Sequence, residues 1–153
     1  MEKLYHSFSI GDPIGMKDCY HNNSMFQDPV FGVLKGDRVG YMWEMLLSKK
    51  EAELKIIYNI IEVDDRHARV HWIATYYYGP RKRKVINNVT ANFEFSEGKI
   101  SRHIDDFNLW TWSKQALGIS GYLLGWSSYM KEQIQNKTRE FLNSFIEKRT
   151  ASA

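Results

Sequence analysis

Four long runs of strand-forming residues, joined by short connections, constrain the fold of this chain more than any other feature. The runs cover about residues 53–64, 67–78, 84–96 and 99–109. Asp64-Asp65 and Glu97-Gly98 leave room only for tight turns, and Gly79 to Arg83 forms a longer hairpin tip. Because such short turns join antiparallel neighbours, the four runs predict an antiparallel sheet.

Helical patterns lie on both sides of these runs. The predicted helices cover residues 2–9, 12–22, a segment starting at Gly36-Asp37, 110–117 and 127–148, and residues 24–30 form a short extended segment. Asp12 is a suitable N-cap for the second helix, because Pro13 then takes the first helical position. Helices followed by consecutive strands predict the α+β class. A length of 153 residues predicts one domain.

Composition argues against several classes of protein. Cys19 is the only cysteine, so an intramolecular disulfide and a cysteine-based zinc site are excluded. A net charge of +3 does not by itself indicate a nucleic-acid partner. His67 and His71 share one face of a predicted strand ~13 Å apart, too far to share a metal ion. Without a leader-like run or a stretch of ~20 apolar residues, we expect a cytoplasmic location and no stable membrane insertion.

Two further segments leave alternatives open. Arg81-Lys82-Arg83-Lys84 is a basic run at the hairpin tip, and a solvated turn explains it most simply. Contact with an anion or a nucleic acid is the second interpretation, although the stacking aromatics of a single-strand binding face are lacking. Residues 117–126 are apolar and contain three glycines. They predict a flexible connector that serves as a lid, an oligomer contact or a contact with a membrane surface.

The last predicted strand carries a titratable pair. Period-two alternation places His103, Asp105 and Phe107 on one face of this strand. A neutral histidine beside a carboxylate can orient it and pass protons near physiological pH. The alternative is a satisfied polar pair on a solvent-facing strand.

Asp28 is a second candidate, because it stands between Phe26 and Phe31 and directly before Pro29. Apolar surroundings disfavour the charged carboxylate, so its pKa rises toward the range that suits proton transfer. The alternative is a turn aspartate whose side chain accepts hydrogen bonds from backbone amides, since Asp-Pro is frequent in turns.

Large aromatic residues fall on predicted apolar faces. Tyr20 and Trp43 lie on helical stripes, and Trp72 and Tyr76 alternate along one strand. Packing in the core is the more frequent explanation for such positions. Each of them also suits the wall of a cavity, where a tyrosine hydroxyl supplies a directional hydrogen bond.

The chain resembles the nuclear transport factor 2-like superfamily, which includes ketosteroid isomerase and the SnoaL-like polyketide cyclases. Three N-terminal helices are followed in this superfamily by a segment similar to Phe26-Gln27-Asp28-Pro29. Gly36 before a helix with Tyr41 and Trp43 also resembles it. Gly98-Lys99-Ile100 followed by His103-Ile104-Asp105 is similar to the SnoaL-like signature. The likeness covers residues 1–110, and the longer tail resembles a bacterial subgroup of unassigned function.

This resemblance implies a fold. We expect a cone-shaped, curved antiparallel sheet wrapped around N-terminal helices, a cystatin-like α+β roll, with an extra C-terminal helix. Residues 1–110 then form the cone, and residues 111–150 form a helical extension packed on the same domain. The open end of the cone holds a small apolar molecule, no cofactor is needed, and the chain forms a homodimer.

The resemblance also implies roles for individual residues. Asp28 matches a general-base aspartate and Tyr20 a tyrosine of the isomerase's hydrogen-bonding network. Asp105 matches the acid/base aspartate of the cyclases, and His103 matches their neighbouring histidine. The ligand-binding wall is then expected to consist of Trp43, Trp72, Tyr76, Val89, Ala91 and Phe107. Leu4 and Ala91 occupy the places of the isomerase's two oxyanion donors. Steroid isomerisation is therefore not expected, since one such donor is worth about 3–4 kcal/mol.

Three hypotheses of function follow. The first is a cofactor-independent isomerase, aldol cyclase or dehydratase that acts on an apolar carbonyl compound. Asp105 is its acid/base, His103 orients Asp105, Asp28 is a second carboxylate, and Tyr20 donates to the oxyanion. The second is a non-catalytic protein that binds a small ligand in the same pocket. The third is a dimeric scaffold whose pocket is incidental.

Overall fold

The computed structural model describes residues 1–48, 54–124 and 127–151 of the chain. The helices in this part are α1 (Glu2–Ser9), α2 (Pro13–Lys17), α3 (Asp37–Ser48), α4 (Leu109–Leu117), α5 (Ile119–Leu124) and α6 (Ser128–Ala151). The strands are β1 (Tyr20–Asp28), β2 (Gly32–Lys35), β3 (Lys55–Val63), β4 (His67–Tyr78), β5 (Arg83–Ser96) and β6 (Lys99–Asp106). This arrangement confirms the predicted α+β class.

The six strands form one curved, open sheet in the order β2-β1-β6-β5-β4-β3. Strands β3 to β6 pair antiparallel with their chain neighbours, as their short turns require. Strand β1 instead pairs parallel with β6, which the prediction of an antiparallel sheet did not include. The reason is that these two strands are distant in sequence, so no turn dictates their relative direction.

Two N-terminal helices and the inner face of the sheet form the main core. Helix α1 buries Leu4, Tyr5 and Phe8, while α3 buries Val39, Met42 and Trp43. Each set recurs at a spacing of three or four residues, so its members share one face of the helix. Helix α6 adds Leu142, which is fully buried in the same core.

A second, smaller core lies between β5 and the C-terminal helices. It contains Val85, Trp112, Ala116 and Ile134. Gln115 of α4 ties the two elements together, because its side-chain amide donates to the backbone oxygen of Ile86 and its side-chain oxygen accepts from the same residue's N–H. No helix of the described residues is long and apolar enough to cross a membrane.

Several boundaries differ from those predicted. Helix α2 ends at Lys17 rather than at residue 22, and Tyr20 begins a strand. The segment after Tyr20 is rich in asparagine and serine, which favour helices weakly, and strand β1 pairs with β6 at Tyr20 and again from Met25 onward. Residues 119–124 of the expected flexible connector are helical, while its residues 125–126 and the predicted strand start at residue 53 lie outside the described residues.

Candidate active site

The histidine and the aspartate of β6 lie in the main core. His103 is 2% exposed and Asp105 is 5% exposed, so the face that alternation assigns to both is the inner one and not the solvent-facing alternative. The imidazole stacks on Phe93 of β5 at 4.2 Å between ring centroids, and it makes a T-shaped contact with Phe26 of β1 at 5.0 Å between centroids. A polar pair at this depth must satisfy its hydrogen bonds within the protein.

A chain of hydrogen bonds supplies those partners. The Tyr20 hydroxyl lies 2.7 Å from Nδ1 of His103, and Nε2 of His103 lies 2.8 Å from Oδ1 of Asp105. Two indole N–H groups close the ends, since Trp43 donates to the Tyr20 oxygen at 3.1 Å and Trp72 donates to Oδ1 of Asp105 at 3.4 Å. The network therefore joins β1, β4, β6 and α3.

The donors of this network select one arrangement of protons. The carboxylate of Asp105 only accepts hydrogen bonds, so Nε2 of His103 carries the hydrogen between them. In the neutral imidazole Nδ1 is then the acceptor, and the Tyr20 hydroxyl, whose oxygen accepts from Trp43, donates to it. Burial and the nearby Asp105 charge raise the pKa of Tyr20 well above its usual value, so the phenol stays protonated.

This arrangement corrects one expectation about Tyr20. The residue lies on a strand and not on a helical stripe, and its hydroxyl hydrogen is already donated to His103. Tyr20 is thus placed to orient the imidazole rather than to donate to an oxyanion on a bound molecule.

Asp28 ends strand β1 next to the same pair. The parallel register joins Phe26 to His103 and Gln27 to Ile104, so Asp28 comes beside Asp105 at the next position. Oδ1 of Asp28 accepts hydrogen bonds from the backbone N–H groups of Val30 at 2.9 Å and Phe31 at 2.5 Å. Asp28 thus combines both alternatives, because its carboxylate is buried and also accepts hydrogen bonds from the backbone of the turn.

The pKa of Asp28 is raised from 3.8 to about 7. Burial of the carboxyl group is the largest cause, and the Asp105 charge adds to it. The hydrogen bonds from Phe31 and Val30 act in the opposite direction, because they favour the charged form. Asp28 and Asp105 therefore sense each other electrostatically, as two inward carboxylates on neighbouring strands should.

Two inward polar groups were not selected from the sequence. Within the described part of the chain, the hydroxyl of Tyr5 has no hydrogen-bond partner, although Tyr5 is only 2% exposed. The side-chain amide of Asn87 on β5 is buried and has no hydrogen bond to any described residue. Alternation along β5 identifies Asn87, since it shares a face with Val85 and Val89. No sequence signal distinguishes Tyr5 from a core tyrosine.

The Tyr5 hydroxyl lies within electrostatic reach of the network. Burial raises the pKa of Tyr5 far above its usual value, and the charge of Asp105 and the phenol of Tyr20 raise it further. The Tyr5 ring stacks on Tyr58 at 4.6 Å and lies 6.3 Å from that of Trp72. Packing of the ring therefore fixes the Tyr5 side chain, while its hydroxyl has no hydrogen-bond partner among the described residues.

Tyr76 marks the boundary between the two cores. Its oxygen accepts a hydrogen bond from Nε1 of Trp112 on α4 at 2.8 Å, and burial raises its pKa to about 12. The charge of Asp28 contributes to that rise, so Tyr76 and Asp28 face the same region. Phe107 is half-buried and packs against both cores.

The remaining wall residues predicted from the sequence lie deeper. Trp43, Trp72, Val89 and Ala91 are all buried in the main core. Val89 and Ala91 of β5 pair with Trp72 and Val70 of β4, so their side chains lie beside these residues on the inner face of the sheet. The side chains of these four residues thus face the interior of the protein, while their contact with a ligand stays a prediction.

Two cavities do not include the carboxylates of this network. One of about 290 Å³ is on the opposite face of the sheet, where Arg69, Asn92, Glu94 and Arg102 line it. The other, of about 30 Å³, is bordered by Tyr20 and its surroundings near α2 and α3. Neither is lined by Asp28 or Asp105. Among the described residues, no group of three or more histidine, cysteine or acidic side chains is placed to hold a metal ion.

Comparison with known proteins identifies the architecture. The model of the SnoaL-like domain family matches residues 1–103. No curated protein matches the sequence. Among solved structures, a putative polyketide cyclase from Silicibacter sp. is 17% identical with a TM-score of 0.66, covering 75% of this chain and 90% of its own.

Two other structures share the fold. Bal32a, from a soil-derived mobile gene cassette, is 17% identical with a TM-score of 0.64, and the match covers 74% of this chain and 91% of that one. An epoxide hydrolase of M. tuberculosis, described as LEH-like, is 18% identical with a TM-score of 0.57 over 80% of this chain and 90% of its own. At these identities the likeness concerns the fold alone.

Proposed function

Because the chain belongs to the SnoaL-like domain family, we propose that it is a cofactor-independent enzyme that transfers protons on a small, largely apolar carbonyl compound. The observation that carries this proposal is the pair of inward carboxylates on neighbouring strands, Asp28 and Asp105. Isomerisation, aldol cyclisation and dehydration all need a proton acceptor and a proton donor in one site. Two carboxyl groups in different environments can divide these tasks.

In this proposal Asp105 removes a proton from the carbon beside the carbonyl group. His103 and Trp72 hold one oxygen of Asp105 in place, which leaves the other oxygen for the substrate. Asp28, with a pKa of about 7, populates both protonation states at neutral pH and returns a proton to another atom of the enolate. Proton exchange between the two neighbouring carboxyl groups then restores the starting state.

Negative charge that develops on the carbonyl oxygen needs a hydrogen-bond donor. We assign this role to Tyr5, because its buried hydroxyl has no partner among the described residues. Tyr20, which the sequence suggested for this role, positions His103 instead. The small molecule would enter between the two cores, beside Tyr76 and Phe107, where aromatic side chains are only partly buried.

A deuterium-exchange experiment tests this function without knowledge of the natural substrate. A panel of apolar ketones, epoxides and polycyclic phenols is first screened by thermal shift for binding. Ketones that bind are then followed by NMR in heavy water for deuterium uptake at the carbon beside the carbonyl. We expect the wild-type protein to accelerate uptake, and Asp105→Asn and Asp28→Asn to abolish it while the thermal shift is retained.

Asp106→Asn is the matched control, because Asp106 neighbours Asp105 on β6 but is exposed on the opposite face. It should exchange deuterium at the wild-type rate. Wild-type exchange by Asp105→Asn would show that Asp105 is not the base. Binding without any accelerated exchange would favour the non-catalytic alternative below.

A non-catalytic role is the second candidate, and the close packing of the network favours it. His103 and Asp105 are almost fully enclosed by aromatic rings, as in a polar network that specifies a unique core. The same fold then binds a small ligand or serves as a dimeric scaffold. The homodimer stays a prediction, which light scattering of the purified protein tests directly.

A further inference from the structure

Two long stretches of this chain contain no carboxylate side chain. Residues 66–93 contain neither aspartate nor glutamate, although six of them are lysine or arginine. Residues 107–131 contain no acidic residue and two lysines. All 18 carboxylates of the chain are therefore elsewhere, and the first one after Asp106 is Glu132.

The fold brings these two stretches together. The guanidinium group of Arg83 lies so close to Gly118 that a Cβ atom built there would come within 2.6 Å of it. The ring of Trp112 packs edge-on against Tyr78 with centroids 5.4 Å apart. As a result, the basic tip of the β4–β5 hairpin lies beside the junction of α4 and α5.

Apolar side chains are exposed at the same place. Ile119 is 78% exposed, Tyr122 is 61% exposed and Leu123 is 60% exposed, all on α5. Trp110 of α4 is also partly exposed, and its indole N–H donates to the backbone oxygen of Tyr122 at 3.2 Å. The ammonium group of Lys114 lies 4.1 Å from the centre of the Trp110 ring.

We propose that this surface, the tip face, docks on the surface of an anionic lipid bilayer. The tip face consists of Arg81, Lys82, Arg83, Lys84, Trp110, Lys114, Ile119, Tyr122 and Leu123. Its basic groups complement acidic lipid headgroups, and its apolar side chains reach the boundary between headgroups and acyl chains. Tryptophan and tyrosine favour that boundary, because one part of each ring system is apolar and another is polar.

The features of the tip face favour a lipid surface over two other partners, a second copy of the chain and a single-stranded nucleic acid. A second copy of the chain, docked through the same patch by a two-fold axis, would bring two basic tips against each other. Single-stranded nucleic acid needs aromatic rings that stack on the bases along the basic groove. The most exposed apolar member of the tip face is instead the aliphatic Ile119.

Membrane docking is independent of the proton-transfer proposal. The tip face shares no residue with the network of His103 and Asp105. Trp112, however, packs beneath the hairpin tip and also donates to Tyr76 at the boundary of the two cores. A docked protein would therefore have that boundary near the lipid surface, from which an apolar molecule can reach it.

Vesicle cosedimentation of the full chain tests the proposal. Vesicles of phosphatidylcholine alone are compared with vesicles of phosphatidylcholine mixed with phosphatidylglycerol, at low and at high salt. We expect binding to the mixed vesicles only, with weaker binding at high salt because the charges are screened. Equal binding to both kinds of vesicle, or binding to neither, would overturn the proposal.

Variants locate the surface. The double variant Arg81→Ala with Lys82→Ala should lower the affinity for mixed vesicles about 25-fold, since each basic residue near the headgroups contributes about fivefold. Ile119→Ser should also weaken binding, while Ile57→Ser, at an exposed isoleucine of β3, should not. Circular dichroism checks that every variant is folded.

Two further outcomes would contradict the proposal. If Ile119→Ser leaves vesicle binding unchanged but converts a dimer to a monomer in light scattering, the tip face is a contact between copies. Tighter binding to a single-stranded oligonucleotide than to mixed vesicles would instead assign the basic residues to nucleic acid.

Discussion

Replacement of Asp28 by asparagine should stabilise this protein, but only at pH values at which the carboxyl group is charged in the unfolded chain. In the unfolded chain this group titrates near its ordinary pKa, whereas the folded protein raises the pKa from 3.8 to about 7. Between these values the folded state binds the proton and the unfolded state does not, so the free energy of unfolding falls as the pH rises. Above pH 7 the free energy of unfolding falls no further, because Asp28 is then charged in both states.

The size of the effect follows from the same pKa values. One pKa unit corresponds to about 1.36 kcal/mol, so the rise from 3.8 to about 7 corresponds to about 4 kcal/mol. Asparagine is neutral at every pH and removes this loss. Its side-chain oxygen can still accept from the N–H groups of Val30 and Phe31, so the local turn is kept.

Urea unfolding of both proteins at several pH values measures the difference. Asp28→Asn should match the wild type near pH 4 and exceed it by about 4 kcal/mol above pH 7. The control is Asp64→Asn, because hydrogen bonds from the backbone of Arg66 and His67 lower the pKa of the exposed Asp64. That variant should be less stable than the wild type at neutral pH and approach it in acid. A pH-independent difference for Asp28→Asn would refute the reasoning.

Three other substitutions test the core, each by urea unfolding at neutral pH. Tyr20→Phe should cost about 1–3 kcal/mol, because Nδ1 of the buried His103 loses its donor; no loss would mean that the pair does not need this bond. Tyr5→Phe should leave stability unchanged or raise it, since the removed hydroxyl has no partner among the described residues, and a large loss would reveal an unseen one. Leu142→Ala should cost about 2–5 kcal/mol, whereas the neighbouring Phe141→Ala, 59% exposed, should cost little. Equal losses would contradict the docking of α6 on the main core.

Much of the fold could be predicted from local sequence patterns. Strand β4 has the bounds that alternation predicted, because its side chains face the core and the outer surface in turn. The Asp12 side chain accepts from the N–H of Gly15, as an N-cap before Pro13 should. Strand β2 and helix α5 were not predicted, since they are only four and six residues long and so show little periodicity.

The site was accessible in part. His103, Asp105 and Asp28 were selected as candidates, with a solvent-facing pair and a turn aspartate as the alternatives, and the structure places the three beside one another in the interior. The direction of the Tyr20 hydroxyl was not accessible, because it depends on His103, which is 83 residues away. Tyr5 was missed for a related reason, since an unpartnered hydroxyl can be recognised only when every surrounding group is known.

The sequence by itself determined the α+β class, the run of antiparallel strands and the shared face of the polar pair on β6. These features depend on alternation, short turns and caps, all of which act over a few residues. Only the tertiary structure decided that β1 lies parallel to β6 and brings Asp28 beside Asp105. It also decided the raised pKa of Asp28 and the proton arrangement of His103. Desolvation and hydrogen-bond direction depend on groups from four separate elements, and no local pattern encodes how these meet.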